Sequence, residues 1–292
     1  MPPSVALREI ARLALNEGSK TARDFFEQHF RPHRIATGAG RGFVTAYYEP
    51  IVPGARSSSA DFVAPVLARP KNLGRVDPYP DRRAILAGAI DDVAEPIVWL
   101  RDAVEVFLIQ VQGSARVQLQ DGSELRLVYD GRNGRPYTSI GRRLIEQGAI
   151  PPDEMSLLRL KAWLRENGAG RGGPADDAMM ANESYVFFRA EPERGSGEGP
   201  IGGQGVPLTT LRSIAVDRTI WAYGLPFWVA TDATAPGGET FPRLMIAQDT
   251  GSAIVGPARA DLFFGSGHEA GIAAGNVRHA ADLFALLPRP MS

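Results

Sequence analysis

The chain has 292 residues, of which 44% are hydrophobic and 22% are charged, as in a soluble globular protein of one or two domains. The formal net charge of −1 and the lack of a Lys/Arg-rich run argue against binding to nucleic acid or to anionic lipid. The absence of cysteine excludes disulfides, thiolate catalysis and Cys-ligated zinc in this chain. The 32 glycines and 23 prolines favour many short strands joined by turns.

Neither a membrane span nor a metal site is expected. No apolar run approaches the roughly 18 residues of a spanning helix, and residues 1–5 (MPPSV) lack the charged and then apolar pattern of a signal peptide. No nucleophile motif of the Gly-x-Ser-x-Gly kind is present. No metal-ligand spacing relates the four histidines His29, His33, His268 and His279.

The first 50 residues predict two helices and a strand. Val5 to Leu15 repeats apolar residues at helical spacing, and Thr21 caps a second helix through Phe30, which we interpret as a packing hairpin without chemistry. The glycine-rich residues 38–42 do not form a phosphate loop, because a strand and not a helix N-terminus follows them.

That strand, residues 43–50, carries the first candidate ligands. Alternation places Phe43, Thr45 and Tyr47 on one face. A tyrosine ring can stack on a sugar while its hydroxyl bonds to the sugar hydroxyls. We therefore take Thr45 and Tyr47 as candidate substrate-binding residues, with an ordinary half-buried strand as the alternative.

The middle of the chain predicts a loop followed by short strands and helices. Residues 51–80 are polar and rich in proline, which predicts a surface loop or a crossing between domains. Asp121-Gly122 between alternating runs predicts a hairpin. The strands expected here are Ile97–Leu100, Val104–Gln112, Arg116–Leu119, Leu125–Tyr129 and Tyr185–Phe188, and the helices are Asp81–Gly88, Ser139–Glu146, Pro151–Asn167 and Asp176–Asn182.

Gln112, Gly113 and Ser114 end one of these predicted strands. Their polar groups suit the acetamido and hydroxyl groups of a sugar, and a structural role fits the pattern equally well. We take all three as candidate substrate-binding residues.

The C-terminal part alternates strands and turns around two carboxylates. Asp249 follows a predicted strand, glycine turns and a short strand at Ile254-Val255 come next, and Asp261 begins another segment. A closed barrel can bring such groups to one rim. Either carboxylate can serve as an acid, and Asp249 has the alternative of a structural bond to the following turn. The other runs are Arg212–Thr219, Phe227–Ala230 and Arg243–Ala247, predicted as strands, and Ala280–Leu287, which fits a helix or a strand.

Seven motifs follow one another along the chain: FVTAYYEP at 43–50, QVQGS at 110–114, GRNGRPYTSIGR at 131–142, NESYVFF at 182–188, VDRT at 216–219, QDTGSAIVG at 248–256 and GSGHEAG at 265–271. Together, over roughly residues 42–287, they resemble one enzyme family, the lytic murein transglycosylase A family. Ala260 stands where many members have an aromatic residue, and the lipid-anchoring cysteine of some members is absent.

The resemblance implies a mainly β fold. A double-psi β-barrel is interrupted by an inserted, smaller β-barrel domain, and a few helices complete the molecule. On this basis residues 1–49 are the N-terminal part of the double-psi barrel domain, and residues 50–184 are the inserted domain. Residues 185–292 are then the C-terminal part of the double-psi barrel domain, which carries the catalytic aspartate.

The resemblance also implies an activity without metal or cofactor. It implies cleavage of the β-1,4 bond between N-acetylmuramic acid and N-acetylglucosamine in peptidoglycan, without water, to give 1,6-anhydromuramoyl ends. Asp261 matches the catalytic residue, acting as acid and then as base, and Asp249 shapes the site or tunes the pKa of that residue. The alternative is an expansin-like barrel that binds cell-wall glycan without cutting it. A true hydrolase needs a second carboxylate, for which Glu49 and Glu183 are the candidates.

Peptidoglycan glycan strands are therefore the expected partners, with no role for nucleic acid. Proteins of the cell-wall machinery are a further class of partner that the resemblance allows. We expect a monomer in the periplasm of a Gram-negative bacterium, with the outer membrane as an alternative place of attachment.

Overall fold

The computed structural model describes residues 5–16, 21–36, 38, 40–170, 172–192, 198–235, 237–238 and 241–290. Within these ranges no helix is long and apolar enough to cross a membrane, and no group of three or more His, Asp or Glu side chains is arranged to hold a metal ion. The helices are α1 (Val5–Asn16), α2 (Ala22–His29), α3 (Arg82–Leu86), α4 (Ala103–Gln112), α5 (Ile140–Glu146), α6 (Leu157–Glu166), α7 (Pro174–Met180) and α8 (His268–Gly275). The strands are β1 (Phe30–Arg34), β2 (Gly42–Glu49), β3 (Ile51–Ala55), β4 (Ala64–Leu67), β5 (Pro96–Leu100), β6 (Ser114–Leu119), β7 (Glu124–Arg132), β8 (Val186–Pro192), β9 (Ser213–Val216), β10 (Pro226–Thr231), β11 (Arg243–Asp249), β12 (Arg259–Ser266) and β13 (Arg278–Pro288).

The chain divides into two compact units, each built from separate stretches of sequence. The first unit comprises residues 1–47, 201–265 and 276–292, and the second comprises residues 48–200 and 266–275. The expected division at residue 184 differs from this one, because β8 pairs with β7 in the sheet of the second unit.

The sheet of the first unit closes on itself. Its strands run in the order β1-β13-β10-β11-β9-β12-β2, and β2 also pairs with β13, so six strands form a ring and β1 lies beside β13. β9 is parallel to β11 and antiparallel to β12. Alternate residues of each strand point inward and fill the barrel. Its buried side chains include Val44, Ile214, Phe227, Met245, Leu262 and Leu283.

The second unit contains a smaller barrel with one helix packed against it. Its sheet has the order β4-β5-β3-β6-β7-β8. An isolated bridge between Ala68, directly after β4, and Phe188 of β8 brings the two edge strands together. Val106 and Ile109 of α4 join the core of this sheet. Other apolar residues of α4 pack with α5, α6 and α7 in a second core.

The predicted strand Val104–Gln112 is wrong, because the chain forms α4 there. Asp102 caps this helix by accepting a hydrogen bond from the backbone N–H of Glu105 at 2.8 Å, and Gly113 ends it in the left-handed conformation with φ of 82°. The helix is buried from Val104 to Gln110. Because seven of its ten residues are apolar and the polar ones do not form a continuous face, the sequence shows no clear helical periodicity.

Two further expectations are wrong. The loop predicted over residues 51–80 contains β3 and β4, each of which pairs with β5. No strand forms at Ile254 and Val255, which lie in the turn between β11 and β12. In both places short strands and turns share the same glycine- and proline-rich composition, so local pattern does not separate them.

Several local predictions are confirmed. Thr21 and Ser139 cap α2 and α5 through their side chains. The hairpin at Asp121-Gly122 joins β6 to β7. The ambiguous run Ala280–Leu287 is strand, as part of β13, and the predicted helix Pro151–Asn167 is shortened to α6.

Candidate active site

Strand β9 aligns the two carboxylates from either side. Asp249, the last residue of β11, pairs with Ala215 of β9, and Asp261 of β12 pairs with the same alanine across the other edge. Neighbouring strands lie about 4.8 Å apart, so the two aspartate backbones are separated by roughly 10 Å. The barrel therefore holds both aspartates at one level.

Asp261 receives a hydrogen bond on one carboxylate oxygen only. The Thr45 hydroxyl donates to Oδ1 of Asp261, and Thr45 Oγ1 accepts a 2.7 Å bond from Nη2 of Arg259. No described residue donates to Oδ2 of Asp261. Asp261 as a whole is only half-buried, so part of its surface reaches solvent.

Asp249 is satisfied on both oxygens. Its Oδ2 accepts from the Tyr47 hydroxyl at 2.7 Å, and its Oδ1 accepts from the backbone N–H groups of Gly203 at 2.9 Å and Thr250 at 2.8 Å. Only glycine fits at position 203, since a Cβ there would lie 2.4 Å from the Tyr223 hydroxyl. Oδ1 faces two groups that can only donate, so a proton cannot sit there.

Burial raises the pKa of both aspartates. For Asp261 desolvation is the largest cause, the charge of Arg259 and the bond from Thr45 oppose it, and the charge of Asp249 adds to the rise in pKa. For Asp249 desolvation again dominates its raised pKa, and the bond from Tyr47 and two backbone bonds oppose it. A carboxyl whose pKa is raised by burial and by a neighbouring carboxylate is a candidate general acid.

Thr45 and Tyr47 reach the two aspartates from the same face of β2, as the predicted alternation requires. The Tyr47 ring packs on Phe263 with centroids 5.3 Å apart. Desolvation, together with the charge of Asp249, raises the pKa of the Tyr47 hydroxyl well above its usual value, so it stays a donor. Both hydroxyls, expected to contact substrate, are engaged with carboxylates of the protein.

The candidates Gln112, Gly113 and Ser114 belong to the second unit, where Gln112 is the last residue of α4, Gly113 caps that helix and Ser114 begins β6. Gln112 Oε1 accepts from the backbone N–H of Tyr48 at 3.1 Å, and the N–H of Gly113 donates to the carbonyl of Ile109 at 2.8 Å. Ser114 begins β6 and is buried. The amide Nε2 of Gln112 makes no hydrogen bond to any described residue.

Glu49 is enclosed by two arginines within the second unit. It has no exposed surface, and its carboxylate lies 2.9 Å from Nε of Arg116 and 2.8 Å from Nε of Arg126. The Ser266 hydroxyl donates to it at 2.7 Å. This carboxylate is closed to water and cannot activate it. Glu183, the other candidate for a second catalytic carboxylate, is exposed in the second unit.

Two contributors to the site were missed by sequence reasoning: Arg259 and Gly203. Arg259 lies two residues before Asp261 in the same strand, so the strand period could have indicated it. Gly203 carries no such signal, because it comes from a loop far along the chain. Asp217 accepts from the backbone N–H of Gly256 at 2.8 Å, which lowers its pKa and fixes the turn that joins the two carboxylates.

Comparison with known proteins decides the family. The MltA specific insert domain matches residues 43–189, and the 3D domain matches residues 212–287. The chain belongs to the MltA family. The membrane-bound lytic murein transglycosylase A of Vibrio cholerae is 31% identical to it over 254 residues. That match covers 85% of this chain and 66% of the relative, so the chain spans a little less than two thirds of the relative's length.

Solved structures of MltA relatives share the fold. A membrane-bound lytic murein transglycosylase from Agrobacterium tumefaciens matches with a TM-score of 0.86 and 36% identity, covering 97% of this chain and 84% of that one. Escherichia coli MltA with bound chitohexaose matches with a TM-score of 0.79 and 26% identity, covering 97% and 83%. The predicted family and the predicted fold class, a double-psi β-barrel with an inserted smaller barrel, are confirmed.

Proposed function

We propose that this chain is a lytic transglycosylase that cleaves the β-1,4 bond between N-acetylmuramic acid and N-acetylglucosamine of peptidoglycan without water, leaving 1,6-anhydromuramoyl ends. Membership of the MltA family supports the reaction class, and the oligosaccharide bound by the E. coli relative supports a glycan substrate. The observation that carries the mechanism is the asymmetry of Asp261, with one oxygen held by Thr45 and no described donor on the other.

Asp261 is the acid in this mechanism. Its raised pKa retains a proton at a higher pH than an ordinary aspartate does. That proton passes to the glycosidic oxygen as its bond to C1 of N-acetylmuramic acid breaks, and C1 takes on oxocarbenium character. The Asp261 carboxylate then takes the proton of the C6 hydroxyl while that oxygen bonds to C1. The anhydro ring closes, the acid is regenerated and no water is consumed.

A single carboxyl group is sufficient because the nucleophile belongs to the substrate. An intramolecular hydroxyl held close to C1 has an effective concentration of about 10⁵ M or more. A hydrolase needs a second carboxylate to activate water. The enclosure of Glu49 by two arginines argues against it in that role.

Asp249 serves Asp261 and does not donate a proton itself. Each of its oxygens already accepts a hydrogen bond, so, unlike Asp261, it has no oxygen free of protein donors. As an anion it raises the pKa of Asp261, which favours the protonated acid before the reaction.

Among the candidate substrate ligands, Gln112 has the best claim to contact glycan. Its Nε2 group donates to no described residue and suits the carbonyl oxygen of an acetamido group. We assign Gly113 and Ser114 to shaping the end of α4 beside it. Thr45 and Tyr47 act on the two aspartates and not on the sugar.

The family also bears on where the protein works. We infer action on glycan strands in the periplasm of a Gram-negative bacterium, at or near the outer membrane, because the relatives are named as membrane-bound. We further propose that the protein acts as a monomer and that its first unit supplies the catalytic acid. Other cell-wall proteins are candidate partners.

The test is mass spectrometry of the soluble products from purified peptidoglycan. Wild type should release muropeptides that are lighter by one water than hydrolysis products, and Asp261→Asn should release none. Asp282→Asn is the matched control, because it removes a carboxylate of the same barrel that pairs with Arg34 and Arg41. Hydrated reducing ends would identify a hydrolase. Binding of glycan without any product would identify an expansin-like binding protein.

A further inference from the structure

A chain of donors fixes the direction of the hydrogen bond to Asp261. A guanidinium has only N–H donors, so the 2.7 Å contact between Arg259 Nη2 and Thr45 makes Thr45 Oγ1 the acceptor. The single hydrogen of the Thr45 hydroxyl is then left to point at Oδ1 of Asp261. An oxygen that accepts this hydrogen is the unfavourable place for the proton of the acid.

We propose that Arg259 and Thr45 are positioning residues that keep Oδ1 of Asp261 an acceptor and so confine the proton of the acid to the other oxygen, Oδ2. This inference rests on the proposed role of Asp261 as the acid, and it adds the two residues that select the reacting oxygen. Neither residue touches the substrate in this role.

The hydrogen bond from Thr45 to Oδ1 of Asp261 acts in both halves of the reaction. Before cleavage, the proton sits on Oδ2, the oxygen to which no described residue donates. After proton transfer, the carboxylate already holds one hydrogen bond at Oδ1, from a hydroxyl polarised by a cation, which stabilises the anion. Oδ2 is then the free oxygen that takes the proton of the C6 hydroxyl. No rearrangement of the carboxyl group is needed between the two steps.

The titratable groups that face Asp261 come from three strands. Arg259 lies on β12 with it, Asp249 lies on β11, and Tyr47 of β2 interacts with it electrostatically. Arg259 and Thr45 favour the ionised form of Asp261, whereas Asp249 opposes it. Removal of the Thr45 hydroxyl therefore raises the pKa of Asp261 further.

The experiment compares Thr45→Val with Thr45→Ser. Valine keeps the shape of threonine and lacks the hydroxyl, and serine keeps the hydroxyl. Thr45→Val should lower kcat by about 10- to 100-fold, as expected for loss of one hydrogen bond to a charged group. Activity requires protonated Asp261, so the alkaline limb of the kcat/KM profile should move to higher pH in Thr45→Val. Thr45→Ser should return that limb to the wild-type position.

A second readout does not depend on activity. Carbon-13 NMR titration of the aspartate carboxyls, with Asp261 assigned from the Asp261→Asn spectrum, should show a higher pKa in Thr45→Val and a restored pKa in Thr45→Ser. Arg259→Met should raise that pKa too, because it removes the cation. An unmoved pKa in Thr45→Val, or equal shifts for valine and serine, would overturn the inference. Absence of anhydro products from wild type would instead overturn the proposed function, and the titration would still report on the hydrogen bonds.

Discussion

Replacing Glu49 by glutamine should destabilise the second unit strongly. Glutamine keeps the size of the side chain but removes the carboxylate that lies between Arg116 and Arg126. Arg126 is 3% exposed and Arg116 is 13% exposed, so water reaches them poorly. Removing one partner of a buried ion pair costs about 3–5 kcal/mol, because the remaining charge stays buried without compensation.

The cost should fall at the low end of that range. The two arginines keep bonds to the carbonyl oxygen of Glu198, at 3.0 Å from Arg116 and 2.7 Å from Arg126. The glutamine amide can also retain one polar contact with Ser266, which donates to Glu49 at 2.7 Å. We therefore expect a loss of about 3 kcal/mol in the free energy of unfolding.

Urea unfolding followed by tryptophan fluorescence measures this loss. Trp221 and Trp228 belong to the first unit and Trp99 and Trp163 to the second, so a background with phenylalanine at 221 and 228 reports on the second unit alone. The matched control is Glu146→Gln, the same change in the exposed pair with Arg142, which should cost only about 0.3–0.5 kcal/mol. A cost for Glu49→Gln no larger than that of the control would refute the reasoning.

Three further predictions concern the aspartates of the barrel. Asp249→Asn removes a charge that raises the pKa of Asp261. The alkaline limb of the kcat/KM profile should therefore move to lower pH, the opposite of the shift expected for Thr45→Val. An upward shift, or no shift, would contradict the role assigned to Asp249. Asp261→Asn should raise the melting temperature at neutral pH. The pKa of Asp261 is higher in the folded protein than its ordinary value of 3.8. Wild type therefore loses stability as the pH rises from 3.8 through the raised pKa, whereas Asp261→Asn does not. In acid, where Asp261 is protonated in both the folded and unfolded states, the difference in melting temperature should vanish. Asp282→Asn should lower the melting temperature at neutral pH, because the bond from Arg34 lowers the pKa of Asp282. A change of the melting temperature in the same direction for Asp261→Asn and Asp282→Asn would contradict this account.

Sequence reasoning succeeded where the local pattern and the environment agree. Residues 43–50 alternate because β2 has one face toward the barrel interior and one away from it, so the shared face of Thr45 and Tyr47 was predictable. Caps such as Thr21 and Ser139 depend on neighbours only three residues away. The same reasoning predicted the wrong element for α4. This helix is buried on several sides, so its sequence lacks the polar face that marks a surface helix.

The roles of the two aspartates were not separable from sequence. Both carboxyl groups are desolvated, and both lie on strands that flank Ala215. What distinguishes them is the number of donors each receives, and those donors are remote in sequence. Gly203 lies 46 positions before Asp249, and Tyr47 lies 202 positions before it. No local pattern encodes such contacts.

The geometry of the acid is a consequence of barrel closure. Thr45 and Asp261 are 216 residues apart, and their bond exists because β2 and β12 are neighbours in the closed ring. Arg259 makes its bond to Thr45 across the same pair of strands. A chain in which β2 is not docked therefore has an aspartate in β12 without the hydroxyl that selects its reacting oxygen. The ring of strands thus does more than bury apolar surface, because it completes the acid only when β2 is in place.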